Sequence, residues 1–259
     1  RPAQSREQPV RQLHLAGGNF NVRRHLSRVD AQKERKMLKT AGLCFAYPSH
    51  FHLDGVNLRV REGDRILLRG KNGAGKSTLL RLLGGALSPF EGSVTRSSCT
   101  TAAFIGHSPS VYPCLSVREN LEFWNRLENC FHKHKDNTAD PGLAEAADML
   151  GLTGSLDEKA SSLSRGMLQR LDLSRVLHSK AGLLLLDEPE NSIERKYLEA
   201  FCREIIKRRH SAVVWASNVL EPDFSPAGFP LFTHLIEIKE KAIGLFTGEI
   251  KPLRGDEAC

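Results

Sequence analysis

One run of residues, Gly70-Lys71-Asn72-Gly73-Ala74-Gly75-Lys76-Ser77-Thr78, restricts this chain more than any other stretch. Its spacing is G-x-x-x-x-G-K-[ST]. It follows a short apolar segment, Ile66 to Leu68, and precedes leucines at 79, 80, 82 and 83 that share one face of a helix. Glycines at these positions let successive backbone N–H groups turn inward around phosphate oxygens, and the start of the helix adds the positive end of its dipole. Lys76 then reaches the terminal phosphates, and the Ser77 hydroxyl is placed to ligand Mg²⁺. The chemistry therefore demands a strand, a loop and a helix in immediate succession, which is an α/β arrangement.

The remainder of the chain follows that lead. Leu43 to Tyr47, Val56 to Val60 and Ile66 to Leu68 read as strands, with Glu62-Gly63-Asp64 a turn between the last two. Thr78 to Leu87 reads as a helix, Ala102 to Ile105 as a strand, and residues 116–178 as mainly helical. Leu183 to Leu186 and Ala212 to Trp215 read as buried strands around a helix from Ser192 to Arg209. Two further strands are expected at Leu235 to Ile238 and Ala242 to Phe246. No internal repeat is evident. No stretch approaches the length of a membrane-spanning helix.

The net charge of +7 is concentrated at one end. Residues 1–40 carry ten basic and three acidic side chains, which accounts for the whole excess, so the remainder is balanced. A neutral core argues against a nucleic-acid-binding domain. The basic, acid-poor residues 1–38 read as a disordered leader with the composition of an organellar targeting segment. The six cysteines (44, 99, 114, 130, 202 and 259) form no CxxC pair, which argues against a disulfide framework and suits a reducing compartment. Cys130, His132 and His134 lie close together, but no fourth ligand is spaced to complete a metal site.

Two more segments carry chemistry. Leu183-Leu184-Leu185-Leu186-Asp187-Glu188-Pro189 ends a buried strand in two carboxylates. Asp187 is thereby placed near the Mg²⁺ shell, and Glu188 can accept a proton from attacking water. Leu163-Ser164-Arg165-Gly166-Met167-Leu168-Gln169-Arg170 opens a helix between the phosphate loop and that strand. The glycine run, this segment and the acidic strand, in that order, resemble the ATP-binding cassette (ABC) ATPases over roughly residues 40–250. The resemblance implies a phosphate-loop α/β fold with a RecA-like core, an antiparallel β subdomain and a helical subdomain at about 108–180, the cassette filling 39–255. It also implies that two copies pack head to tail, with Ser164 and Gly166 of one copy closing on the γ-phosphate held by the other.

Further positions follow from the resemblance. Tyr47 falls where an aromatic ring stacks on adenine. His107 replaces the glutamine that senses Mg²⁺ and contacts a membrane partner, and could itself approach the metal. Asn191-Ser192-Ile193-Glu194 is the dimer-contact loop, with Glu194 where aspartate is usual. Asn218 stands in place of the switch histidine; it can hydrogen-bond a γ-phosphate but cannot carry charge. Gly106-His107, the segment Glu119 to Leu127 and Leu-Ser-Arg-Gly-Met are similar to the haem-exporter ATPases of cytochrome c maturation. ABC-2-class exporters share much of this wording. The expectation is an ATP- and Mg²⁺-dependent ATPase subunit, a homodimer beneath polytopic membrane partners (CcmB/CcmC-like), with no nucleic acid bound. The leader points to the matrix side of the mitochondrial inner membrane, the alternative being the cytoplasmic face of a bacterial inner membrane. Two other readings stand beside it: a soluble cassette acting on nucleic acid or ribosomes, and a degenerate cassette serving as an ATP-dependent switch.

Overall fold

Leu183, Leu184, Leu185 and Leu186 are all fully buried, and their burial on two opposite faces sets the architecture. They form strand β7 (Leu183–Asp187). Side chains alternate across a strand, so Leu183 and Leu185 join one apolar cluster and Leu184 and Leu186 another. A continuous apolar run is what a strand covered on both faces requires. Each leucine removed from water contributes about 2 kcal/mol.

The structure, a computed structural model, describes residues 36–47, 52–98, 100–132, 141–221, 224, 231–242 and 245–252. Among these residues the strands are β1 (Lys36–Ala46), β2 (His52–Val56), β3 (Arg59–Arg61), β4 (Arg65–Arg69), β5 (Glu91–Arg96), β6 (Ala102–Ile105), β7, β8 (Ala212–Ser217), β9 (His234–Ala242) and β10 (Leu245–Pro252). The helices are α1 (Lys76–Gly84), α2 (Val117–His132), α3 (Pro141–Met149), α4 (Arg165–His178) and α5 (Arg195–Lys207). The strands form one sheet in the order β3-β1-β2-β10-β9-β4-β8-β7-β6, and β5 pairs with β1. β9, β4, β8, β7 and β6 run parallel, whereas β1 is antiparallel to β2, β3 and β5.

One cluster packs Leu79, Leu80, Leu82 and Leu83 of α1 against β4, β7 and β8. The opposite face receives Leu198, Phe201 and Ile205 of α5 with Leu173 and Val176 of α4 around Trp215. A third cluster, with Val117, Leu121 and Trp124 of α2 and Leu163 and Leu171 beside α4, holds the helical layer together. Burial pushes the Cys202 thiol of α5 up to about 12, so it behaves as a small apolar side chain.

The structure redraws several expected elements. Val56 to Val60 is two strands, because β2 and β3 pair with different parts of β1. Buried Thr40 interrupts them: its hydroxyl donates to the Val56 carbonyl at 2.8 Å and accepts from the Leu58 N–H at 2.8 Å. Ala242 to Phe246 is not one strand: β9 ends at Ala242 and β10, antiparallel to it, begins at Leu245, with residues 243–244 outside the described set. The long cross-strand register outweighs a short apolar run. β5 has no apolar pattern and was not expected. β1 begins at Lys36, and residues 1–35 of the expected leader lie outside the described residues. The expected first helix starts at Lys76 and stops at Gly84, where Gly85 adopts φ 77° and caps it.

Candidate nucleotide-binding site

The parallel registers bring three strand ends together. Asp187 lies opposite Ala216 and Arg69 opposite Ser217, so the loops leaving β4, β7 and β8 open on one side of the sheet. Ligands of open α/β sheets sit outside the carboxyl ends of the strands, and this is where the chain places the glycine run.

β4 delivers the backbone to Gly70, and Gly75 caps α1 with φ 94°, a left-handed conformation that a side chain would resist. No side chain caps α1, so its first-turn N–H groups face the loop. The Lys76 ammonium is held within that loop. It donates to the Gly70 carbonyl at 2.9 Å and the Lys71 carbonyl at 3.3 Å, and lies 3.6 Å from Glu188 Oε1. Tyr47, Asn72, Gly73, Gly75, Lys76, Ser77, Thr78, His107 and Glu188 line one cavity of about 450 Å³.

Asp187 ends β7 and is buried beneath this cavity. The Ser77 hydroxyl bonds its carboxylate, while Oδ2 has no partner at all. Burial holds Asp187 above the usual carboxylate range. The Ser77 bond and the charges of Arg81 and Lys76 oppose that rise, and Glu188 adds to it. A buried carboxylate with one unsatisfied oxygen beside a hydroxyl suits Mg²⁺, which takes few protein ligands and completes its shell with phosphate and water. Among the described residues no cluster of three His, Cys, Asp or Glu side chains placed to hold a metal ion occurs. Of the Cys130, His132 and His134 group, His134 is outside the described residues.

Glu188 itself has φ 50°, uncommon for a residue with a side chain. Its N–H donates to the Ala216 carbonyl at 2.9 Å, and its Oε2 accepts from Asn191 Nδ2 at 2.8 Å. Asn218 is not directed to an imidazole-like role; its Nδ2 donates to Asn72 Oδ1 at 2.7 Å, tying the loop after β8 to the phosphate loop. Tyr47 is partly exposed and meets Phe45 edge-on at 4.9 Å. His107 follows β6 and is exposed.

Ser164 and Gly166 are not among the residues lining the cavity. Ser164 caps α4, its hydroxyl accepting from the Met167 N–H at 3.3 Å. Gly166 lies against the Asn191 to Glu194 loop: a Cβ there would stand 2.7 Å from the Ser192 carbonyl oxygen. One loop thus touches both the phosphate end of its own chain and the start of α4. Glu190, which begins that loop, carries no sequence signal; a glutamate after an Asp-Glu-Pro turn looks like an ordinary solvated residue. A second concavity, also about 450 Å³, lies between β6 and α2 and includes Tyr112, Phe123, Trp124, Leu127 and Arg175.

A parallel sheet with a phosphate-shaped loop after one strand and paired carboxylates after another defines the phosphate-loop nucleotide-binding class. Within it, the chain belongs to the ABC transporter family, which it matches over residues 53–191. It is 31% identical over 205 residues to the cytochrome c biogenesis ATP-binding export protein CcmA of Rhodospirillum rubrum, covering 74% of this chain and 84% of that protein. It is 32% identical over 181 residues to YdbJ, an uncharacterized ABC transporter ATP-binding protein of Bacillus subtilis, covering 65% of this chain and 56% of that protein. A dimeric ATP-binding cassette solved in a post-hydrolysis state with ADP and Pi shares the fold. Its TM-score is 0.66 at 20% identity, over 85% of this chain and all of that one. ATP hydrolysis is the general activity of these domains.

Proposed function

We propose that this chain hydrolyses MgATP as the nucleotide-binding subunit of a membrane complex, in the haem-handling branch represented by the CcmA proteins. The observation that carries the reading is the convergence of Lys76, Ser77, Asp187 and Glu188 at one mouth of the sheet, with Asp187 Oδ2 unpartnered. In this reading the loop amides from Gly73 to Ser77 and the Lys76 ammonium hold the β- and γ-phosphates, and Tyr47 stacks on the base. Ser77 and Asp187 hold Mg²⁺, which when bound neutralises phosphate charge. Glu188 takes the proton from water as its oxygen bonds the γ-phosphorus and the β–γ bridging P–O bond breaks, giving ADP and phosphate. Ser164 and Gly166 of a second copy complete the site, and Asn218 supplies a neutral hydrogen bond where a histidine is usual. The expected boundary moves from 39 to Lys36, because Met37 and Leu38 of β1 lie in the core; the cassette then occupies 36–255, with residues 108–180 as its helical subdomain and residues 1–35 as a leader.

Among the described residues no helix is long and apolar enough to cross a membrane. The proposed attachment is therefore peripheral, through CcmB/CcmC-like membrane subunits. The exposed aromatic surface of Tyr112 and Phe123, continuous with Trp124 and Leu127 in the second concavity, supports a docking role. The location follows the partner; the mitochondrial address rests on the leader's composition alone, and an import assay with and without residues 1–35 tests it. Lys76→Ala is expected to weaken MgATP binding at least about a hundredfold while the far-ultraviolet circular dichroism stays unchanged; unchanged affinity would remove the assignment. Copurification after gentle detergent extraction identifies the membrane partner, and recovery of the chain alone would count against the transporter reading.

The switch reading keeps one observation of its own. Asn218 is committed to Asn72 rather than pointed as a free side chain. If Glu188→Gln leaves an already negligible turnover unchanged while ATP still drives dimerisation, the chain acts as a switch.

A further inference from the structure

Glu190 leaves β7 three residues past Asp187, yet its carboxylate turns inward. Its Oε2 accepts from Trp215 Nε1 at 2.9 Å, and its Oε1 accepts from the Ser217 hydroxyl. Trp215 and Ser217 are both fully buried at the end of β8. The same Ser217 oxygen accepts from the N–H groups of Val219 at 3.2 Å and Leu220 at 2.9 Å, which shapes the turn carrying Asn218. Asn218 in turn bonds Asn72 of the phosphate loop. On the other side of Glu190, Asn191 bonds Glu188, and Ser192, at φ 67°, presses its carbonyl against Gly166. One side chain therefore stands between the proton acceptor, the turn after β8 and the start of α4.

We propose that Glu190 is a positioning residue for hydrolysis. It fixes the Asn218 turn and the dimer-contact loop in one geometry, so that the chain's own MgATP site and the α4 face it presents to a second copy are set together. The proposal rests on the hydrolytic reading above. A carboxylate can accept from Trp215 and Ser217 at once because it offers lone pairs on two oxygens. A serine hydroxyl that donates to Glu190 keeps its own lone pairs for the two turn amides. Without the carboxylate, Ser217 is free to rotate and the turn loses its anchor. Burial holds Glu190 above the usual carboxylate range, the bonds from Ser217 and Trp215 oppose this, and the charge of Glu188 adds to it. The charge of Glu190 also helps to raise the Cys202 thiol of α5, after burial.

The test uses the full chain with Glu190→Ala and Glu190→Gln. Glu190→Ala is expected to lower kcat at least about tenfold with the KM for MgATP within about twofold, because the phosphates are still held while the reacting groups lose alignment. Glu190→Gln keeps the shape but has one acceptor oxygen, which can serve Trp215 or Ser217 and not both, so it is expected to recover only part of that loss. A spectroscopic readout separates positioning from general destabilisation. In ¹⁵N-labelled nucleotide-free protein, with Trp124→Phe used for assignment, the Trp215 indole N–H resonance should lie downfield as a hydrogen-bonded indole does, and Glu190→Ala should move it upfield. A Glu190→Ala chain with unchanged kcat overturns the proposal. So does a parallel loss of affinity, folding and rate with no rescue by glutamine, or an indole resonance that Glu190→Ala leaves in place. Absence of turnover in the unmodified chain would instead overturn the hydrolytic reading, and the proposal with it.

Discussion

At the scale of single residues, Asp187 is where the proposed site costs the fold stability. Its carboxylate is buried with one oxygen unsatisfied and is held above the usual carboxylate range, chiefly by burial. A group whose folded pKa exceeds its unfolded one binds its proton more tightly in the native state. Stability is then fullest below the ordinary carboxylate value and declines as pH rises through the window up to the raised one. Asp187→Asn should therefore raise the stability of nucleotide-free protein at neutral pH by about 1 kcal/mol while Mg²⁺-dependent ATP binding is lost. Urea unfolding in acidic and neutral buffer checks this, and the variant should show the shallower pH dependence; Glu190, shifted in the same direction, supplies part of the remaining slope. Gly166 gives the opposite sign from naive expectation. Alanine inside a helix is ordinarily better than glycine by roughly 0.5–1 kcal/mol. Here its Cβ would meet the Ser192 backbone at 2.7 Å, and backbone yields only if the whole loop moves. Gly166→Ala should cost about 1 kcal/mol net, read as a lower denaturation midpoint, and should slow turnover at least about tenfold.

At the scale of elements, α4 is anchored to the sheet by a buried pair rather than by apolar contact alone. Asp172 is fully buried and accepts from Arg175 Nε at 2.8 Å and from the Ser110 N–H at 3.1 Å, and Arg175 also donates to the Phe104 carbonyl at 2.7 Å. The helix carrying Ser164 and Gly166 is thereby joined to the end of β6 and to the loop that follows His107. Asp172→Ala leaves the Arg175 guanidinium without its counter-charge and should destabilise the chain by about 3 kcal/mol. Chemical denaturation measures this, and weaker protection of residues 107–112 in hydrogen exchange would show the loop loosening. The other end of α4 is tied down by Arg208, which donates to the Ser179 carbonyl at 2.9 Å and to the Leu177 carbonyl. These anchors were not legible beforehand. Asp172 and Arg175 sit three apart on a helix, where a solvated pair is the ordinary outcome. Burial makes this one structural.

At the scale of the whole molecule, Ser164 and Gly166 stand outside the cavity lined by Lys76 and Glu188, and the proposed function has a second copy supply them. Glu188→Gln with MgATP should convert the 28.8 kDa chain to a species of twice that mass, seen by light scattering, and Lys76→Ala should not. The motif-bearing elements were legible in the sequence because their chemistry is local. The glycine run dictates its own loop and helix, and four consecutive leucines bounded by Gly182 and the acidic pair are too short a run for a helix and fit a strand covered on both faces. β5 was not legible, since Glu91 to Arg96 has almost no apolar pattern and is a strand only because β1 lies beside it. Nor was the interruption at Asn57 and Leu58, which depends on Thr40 far back in the chain. The amino-acid sequence by itself pointed to Gly70–Ser77 and Asp187-Glu188 as the candidate phosphate and metal residues, because spacing along one backbone sets those positions. Only the tertiary structure decided that Asn218 bonds Asn72 and that Glu190 faces Trp215 and Ser217 instead of water. Those contacts join loops from different strands, and no local pattern of residues encodes which strand ends will meet.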